Sequence, residues 1–205
     1  MISVGLDVSL THTSIVALSS PLTEHRVKGQ GPELVSMCNI VPDKAFGGVF
    51  RLDRIVVEAT SFFDNLAMAH GAVDIVVFEG PGFGSQVAHS LGCAHGSLKL
   101  ALWRAGHLAN SYDFPPSCLK QFATGKGHCD KNVVMKEVLK QWGFDSDDDN
   151  LVDAYACAVA GIYKLVGVGT ALQQKAVSKF DGRFYARDGA AARKVSRRPR
   201  KRRVA

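Results

Sequence analysis

Long apolar runs are absent from this 205-residue sequence. None approaches the roughly 20 consecutive apolar residues that a membrane-spanning helix needs. The first residues lead directly into a strand-like segment, without the basic region and cleavage site of a secretory signal. Hydrophobic residues make up 46% of the chain, which is enough for one well-cored domain. We therefore expect a soluble, cytoplasmic protein with a single globular domain.

Cysteine is scarce and shows no ligand-like or paired spacing. The chain has an odd number of cysteines, five, and no C-x-x-C motif. They are Cys38, Cys93, Cys118, Cys129 and Cys157. This pattern argues against a disulfide framework and against a zinc site. We interpret all five as free, buried thiols, because unpaired cysteine is among the most often buried residue types.

Acidic residues are almost missing from the end of the chain. Residues 187–205 contain nine Lys or Arg and one acid, Asp188, so this segment carries +8 while the other 186 residues carry −2 of the net +6. Such a segment has little to bury, and we expect a flexible, disordered arm that attracts the phosphates of DNA. A solvated tail that only aids solubility is the alternative. The residues predicted to contact DNA are Arg197, Arg198, Arg200, Lys201, Arg202 and Arg203.

Hydrophobic periodicity predicts a mixed α/β sheet in residues 1–166, followed by the basic tail in residues 167–205. The predicted strands are 2–6, 14–18, one within 34–41, one ending at Glu79, and 107–112. The predicted helices are 49–66, 86–105, one opened by Pro115 and Pro116, 131–142 and 150–166. No internal repeat is present.

Carboxylates end two of the apolar strands. Asp7 follows Ile2–Leu6, and Glu79 follows Val73–Phe78. A third pair, Asp149 and Asp153, opens the last predicted helix, and residues four apart share one helix face. Several acids brought together would repel one another and raise one another's pKa, unless cations neutralise them. The set therefore predicts a site for Mg²⁺, with Mn²⁺ able to substitute, because hard oxygen ligands favour these ions over zinc.

The acidic run before the last helix has a simpler interpretation. Asp147 and Asp148 lie at the position where capping residues are common, and we interpret them as helix caps. Asp153 lies inside the helix, on a face that small apolar residues should pack against the sheet, so we interpret it as functional.

Four segments, in this order, resemble RuvC-type Holliday-junction resolvases of the RNase H-like superfamily, particularly the phage branch. They are residues 5–9, 78–81, 116–131 and 149–154. The resemblance covers residues 1 to about 165 and leaves out the tail. It implies an RNase H-like mixed five-stranded sheet flanked by helices. It also implies a metal-dependent endodeoxyribonuclease that resolves Holliday junctions and related branched DNA by paired phosphodiester hydrolysis, in the host cytoplasm if a phage encodes it.

The resemblance also implies the metal ligands. In that family four acidic positions bind two Mg²⁺ ions, and the matching positions here are Asp7, Glu79, Asp149 and Asp153. Bacterial members of the family usually place the penultimate ligand three residues before the last. That position is Asn150 here, whereas Asp149 is four residues before Asp153, so the fourth ligand is Asp149 or Asn150.

Residues 116–131 are similar to the stretch of the family that carries two functional lysines, which match Lys120 and Lys131. Lys126 lies between two glycines and can approach a DNA phosphate closely, although simple exposure to solvent is the alternative. Phe83, in the loop after Glu79, matches approximately the aromatic residue that family members insert at the junction centre, where an apolar wedge unstacks bases. The alternative for Phe83 is a loop aromatic that covers the core.

The resemblance further implies a homodimer formed through the helix at 86–105, since a two-fold enzyme suits a four-way junction. Two other classes of function stay open. Residues 5–13 also resemble the first phosphate loop of actin-like sugar kinases and ATPases, but a second such loop and an adenosine-binding glycine motif are missing. A non-catalytic module that binds branched DNA is the other alternative, although the intact acidic set would then have no purpose.

Overall fold

The computed structural model describes residues 1–20, 31–81, 88–182 and 185. The strands are β1 (Ile2–Asp7), β2 (Thr13–Ser19), β3 (Glu33–Ile40), β4 (Ile75–Glu79) and β5 (Ser111–Phe114). The helices are α1 (Gly48–His70), α2 (Ala88–Arg104), α3 (Pro116–Thr124), α4 (Lys131–Trp142), α5 (Asp149–Val166) and α6 (Ala171–Val177).

The five strands form one mixed sheet in the order β3-β2-β1-β4-β5. The central strand β1 is antiparallel to β2 and parallel to β4, which is in turn parallel to β5. The carboxyl ends of β1, β4 and β5 therefore meet at one edge of the sheet, together with the start of β2 and the end of β3. This arrangement confirms the predicted five-stranded sheet flanked by helices.

The sheet separates two hydrophobic layers. Alternate residues such as Val16 and Val77 face α5, whereas Leu6 and Phe78 face α1 and α2. Helix α5 lies close to the sheet because its buried face is rich in alanine and glycine. Ser3 Oγ donates a hydrogen bond to the Ala158 carbonyl oxygen over 2.7 Å, inside this packed layer.

The segment after Val166 differs from the prediction. We predicted a flexible tail from residue 167, but α6 forms there and buries Gln173, Ala176 and Val177. A capping box starts this helix, because Thr170 and Gln173 each bond the other's backbone N–H. The helix has only seven residues, too few for a periodic signal. Asp181 then pairs with Asp113, so the folded part extends beyond the predicted boundary.

Smaller differences concern β5 and the cysteines. Strand β5 begins at Ser111 rather than near His107, because the chain first turns at Gly106, where φ is +85°. All five cysteines are free, as predicted, but only Cys157 is fully buried.

No single helix among the described residues is long and apolar enough to cross a membrane. Helices α5 and α6 reach the required length and composition only when they are taken together. The chain bends by 99° between them, and α5 is the buried core helix.

Candidate active site

Three of the predicted carboxylates converge at the edge where the parallel strands end. Asp7 is the last residue of β1, Glu79 is the last residue of β4, and Asp153 lies in the second turn of α5. One carboxylate oxygen from each lies within 4.8 Å of the others. Because β1 and β4 are parallel neighbours and α5 packs across them, residues far apart in sequence meet at this point.

The electrostatics of this cluster are unfavourable in the absence of a cation. Burial and the negative charges of Asp7 and Asp153 raise the pKa of Glu79 well above its ordinary value. Burial and the charge of Asp7 raise the pKa of Asp153 to about 7. Burial also raises the pKa of Asp7, against the lowering effects of a hydrogen bond with Glu79 and of the Lys131 charge. The raised pKa values favour the protonated carboxyls, and a bound cation would favour the charged carboxylates instead.

This donor set fits a hard divalent cation. It consists of carboxylate oxygens only, these oxygens lie within 4.8 Å of one another, and no histidine or cysteine joins the group among the described residues. The raised pKa values provide a second indication: burial raises all three, the charge of Asp7 adds to the rise at Glu79 and Asp153, and a divalent ion would favour the charged carboxylates instead.

Asp149 is placed differently from the other three acids. It lies in the first turn of α5, and its carboxylate forms an ion pair with Lys131, the first residue of α4. The structure does not bring Asp149 into the group of three. Lys131 is near enough to the cluster to lower the pKa of Asp7, Glu79 and Asp153, so one lysine is shared between Asp149 and the cluster.

The other two predicted lysines have distinct surroundings. Lys120 Nζ donates a hydrogen bond to the Cys129 carbonyl oxygen over 2.9 Å, which ties α3 to the loop before α4. Its charge also lowers the pKa of Asp153. Lys126 is exposed, in a turn that the Thr124 hydroxyl stabilises. Its side chain is not part of the carboxylate cluster.

A polar network beside the carboxylates was missed by sequence reasoning. His12 Nε2 lies 3.2 Å from Asp148 Oδ2, and the Asn150 amide nitrogen lies 3.2 Å from His12 Nδ1. Asn39 donates to Asp148 Oδ2 over 2.7 Å and accepts from Ser14 over 2.6 Å. The network links the β1–β2 loop, the two antiparallel strands and the start of α5. The register places Ser14 opposite Asn39 on neighbouring strands, and no spacing in the sequence marks that pairing.

Asp148 caps α5, as predicted. It accepts a hydrogen bond from the Asn150 backbone N–H over 3.0 Å. Burial raises the pKa of Asp148, but the hydrogen bonds from Asn150 and the charge of His12 outweigh it and hold this pKa below its ordinary value. The Asn150 side-chain nitrogen faces both Asp148 Oδ1 and His12 Nδ1, and its carboxamide oxygen has no hydrogen-bond partner among the described residues.

Several predicted residues lie outside the described part of the chain. They are Phe83, Arg197, Arg198, Arg200, Lys201, Arg202 and Arg203.

The order of the sheet and its flanking helices defines an RNase H-like fold, with a carboxylate cluster where the parallel strands end. Within this class the chain is similar to RuvC. It superposes on the structure of Thermus thermophilus RuvC with a TM-score of 0.65, at 23% identity, over 82% of this chain and 97% of that one. T. thermophilus RuvC in complex with a Holliday junction substrate gives a TM-score of 0.64 at 24% identity, over 82% and 96%. At this identity the likeness establishes the fold.

Sequence comparison points to the same proteins over shorter stretches. The crossover junction endodeoxyribonuclease RuvC of Synechococcus sp. (strain CC9311) is 36% identical over 73 residues, which are 35% of this chain and 44% of the relative. RuvC of Prochlorococcus marinus (strain NATL2A) is 42% identical over 53 residues, 25% of this chain and 34% of the relative. The chain thus aligns with less than half of each curated relative. No family model matches. The predicted resemblance to RuvC is confirmed, and the phage branch stays a prediction.

Proposed function

We propose that this chain is a metal-dependent, structure-selective DNA endonuclease that resolves Holliday junctions and related branched DNA. One observation carries the proposal: Asp7, Glu79 and Asp153 converge within 4.8 Å at the edge of a RuvC-like sheet. A non-catalytic DNA-binding module would have no use for three mutually repelling acids at this point, and an actin-like ATP-binding protein would need the second phosphate loop and adenosine-binding glycine motif that the sequence lacks.

In this proposal Asp7, Glu79 and Asp153 hold Mg²⁺, and Mn²⁺ can substitute, because the site offers only hard oxygen ligands. The fourth ligand is Asp149 or Asn150. Asp149 carries the charge, whereas Asn150, in the same turn of α5, has a carboxamide oxygen without a hydrogen-bond partner in the described part of the chain. When bound, the metal supplies an activated water and neutralises the leaving 3′ oxygen.

In this proposal the carboxylates position the metal and the lysines bind the phosphates of the DNA. The packing of β1, β4 and α5 against one another holds the three carboxylates in position for the metal. Lys131 and Lys120 place positive charge beside the cluster, where the phosphate of the substrate would lie. Lys126 contacts the DNA backbone from its exposed turn. Phe83 and the basic residues of the tail are proposed as further DNA contacts.

We propose branched DNA and a second copy of this chain as the partners. Two sites related by a two-fold axis suit a four-way junction, since two strands of like polarity must be cut. Helix α2 presents half-exposed Leu100 and Trp103, and this apolar surface supports its assignment to the dimer contact. We propose that the enzyme acts in the cytoplasm, where its DNA substrate lies.

End-labelled four-way junction, flap and linear duplex would be incubated with the purified protein in Mg²⁺ or in EDTA. We expect metal-dependent cleavage of the junction and little cleavage of the duplex. Glu79→Gln should abolish it, whereas Asp147→Asn, which changes an exposed acid just before α5, should not. Equal cleavage of all three substrates would indicate a general nuclease, and DNA binding without metal-dependent cleavage would overturn the catalytic proposal.

A further inference from the structure

Three large apolar side chains are exposed together where α1 begins. Phe46 is 58% exposed, Val49 is 77% exposed and Phe50 is 70% exposed. The rings of Phe46 and Phe50 lie side by side, with centroids 6.3 Å apart and planes inclined by 48°. We call these three residues the aromatic patch. Contiguous exposed apolar groups of this kind mark a surface that meets a partner.

The aromatic patch lies at the same edge of the sheet as the carboxylates. Strand β3 ends at Ile40, which pairs with Thr13, and β1 ends beside β2 with Asp7 opposite Ser14. The segment 41–47 therefore leaves the sheet at the edge where Asp7 and Glu79 lie. Gly48 is close to the loop after Asp7, because a Cβ at Gly48 would lie 4.0 Å from Leu10 Cδ2. The patch thus begins beside the β1–β2 loop, at the edge of the sheet that carries the proposed active site.

Two basic residues and a helix N-terminus lie around the patch. Lys44 is exposed two residues before Phe46, and the buried Nε of Arg51 has no hydrogen-bond partner among the described residues. Helix α1 starts without an acid in its first turn and without a side-chain cap, so its positive end is uncompensated. Two exposed acids are also near in sequence: Asp43, which accepts a hydrogen bond from the Ala45 backbone N–H over 2.8 Å, and Asp53, which lies beyond the first turn of α1.

We propose that the aromatic patch is a stacking surface for unpaired bases of the DNA strand that enters the active site. This inference rests on the proposed function and adds a second contact to it, in a different segment from the predicted aromatic Phe83. Bases that unstack at a branch point have exposed ring faces, and aromatic side chains flanked by cations bind such faces without reading sequence. A fully paired duplex offers no free base faces, so the patch favours branched over linear DNA.

The test uses 2-aminopurine, whose fluorescence reports stacking, at each branch-point position of an immobile four-way junction and in the corresponding single strand. Binding is measured in EDTA, so that no cleavage occurs. The double variant Phe46→Leu/Phe50→Leu keeps apolar side chains but removes both rings. Met68→Ala, at the other end of α1 and 86% exposed, is the control.

We expect the wild-type protein and the Met68→Ala control to change the fluorescence at one or more branch positions. The double variant should lose that change and bind the junction about ten-fold more weakly, with unchanged duplex affinity. Wild-type fluorescence and affinity in the double variant would overturn the inference, as would a wild-type protein that never changes the fluorescence. A double variant that dissociates to monomers in light scattering would also overturn it and assign the patch to a second copy. Failure of the proposed function would appear separately, as wild-type protein that does not cleave in Mg²⁺.

Discussion

Gly5 of β1 lies directly beneath Ala154 of α5. A Cβ at Gly5 would lie 2.0 Å from the Ala154 carbonyl oxygen and 2.4 Å from the Ala158 backbone nitrogen. No side chain fits in this space, so helix and strand touch backbone to backbone. This contact brings Asp153, the neighbour of Ala154, to Asp7, two residues along β1, and so sets the spacing of the carboxylate cluster.

Gly5→Ala should therefore destabilise the protein and disturb the site together. The methyl group would meet backbone atoms that cannot rotate away, and we expect a loss of about 3 kcal/mol or more in the free energy of unfolding. Chemical denaturation measures this loss. Gly48→Ala is the matched control, because its nearest neighbour would be 4.0 Å away, and it should be neutral or slightly stabilising. Equal effects of the two substitutions would contradict the close contact.

Asp153→Asn should make the metal-free protein more stable at high pH while removing cleavage. The pKa of Asp153 is raised from 3.8 to about 7 in the folded protein, mainly by burial. Between these values the folded state holds a proton that the unfolded state releases, so the free energy of unfolding falls as pH rises, and the full cost applies above about pH 7. Asparagine carries no charge at any of these pH values and escapes this cost.

Thermal unfolding in EDTA at pH 5 and pH 8 checks the Asp153 prediction. The wild-type protein should lose stability from pH 5 to pH 8 by a larger amount than Asp153→Asn, and Mg²⁺ should restore the wild-type protein at pH 8 but not the variant. Asp147→Asn should behave as wild type, because Asp147 is exposed before α5. Identical pH dependence in wild type and Asp153→Asn would show that this carboxyl is not held in an unfavourable charged state.

Lys131→Ala should lower the rate of cleavage and move its acidic limb to higher pH. Lys131 lowers the pKa of Asp7, Glu79 and Asp153, so its removal lets these pKa values rise, and a higher pH is needed to empty the site of protons. We expect a fall of about 100-fold in kcat, the usual effect of losing one stabilising charge at a site of phosphate chemistry.

A pH–rate profile tests the Lys131 prediction. Lys136→Ala, an exposed lysine of the same helix, is the control and should leave both rate and profile unchanged. A simple loss of DNA affinity, with KM raised and the profile unmoved, would mean that Lys131 binds DNA without acting on the carboxylates.

Lys99→Met should destabilise the protein through a buried ion pair on the other side of the sheet. The Lys99 side chain is 5% exposed, and its Nζ lies 2.6 Å from Asp113 Oδ1. Tyr185 donates to the same oxygen over 2.9 Å. Removal of the lysine leaves the Asp113 charge without its cation, which should cost about 3 kcal/mol. Lys164→Met removes an exposed lysine and should change the free energy of unfolding by less than about 0.5 kcal/mol. Similar losses in both variants would contradict this assignment.

The strands and helices through Val166 could be predicted because each carries its own periodicity over several residues. The meeting of Asp7 and Glu79 also followed from sequence, since two parallel strands that end in acids end at the same edge. Asp153 was identified by its place within a small-residue helix and by the family resemblance.

Contacts between distant residues could not be predicted in the same way. His12 meets Asn150 across 138 residues, and Tyr185 meets Asp113 across 72, without any local pattern that marks them. Helix α6 is too short for its period to show. The ion pair of Asp149 depends on where α4 begins in space, which no spacing in the sequence reveals.

The most direct test of the central claim uses a supercoiled plasmid that extrudes a cruciform, a four-way junction within closed DNA. Paired cleavage across the junction yields linear plasmid, whereas a single nick yields open circles. We predict linear product in Mg²⁺, with nicks at symmetrical positions, and none in EDTA or with Glu79→Gln, while Asp147→Asn gives the wild-type result. Linear product that persists with Glu79→Gln, or its absence with wild-type protein in Mg²⁺, would contradict the assignment of Asp7, Glu79 and Asp153 as the centre of a junction-resolving nuclease.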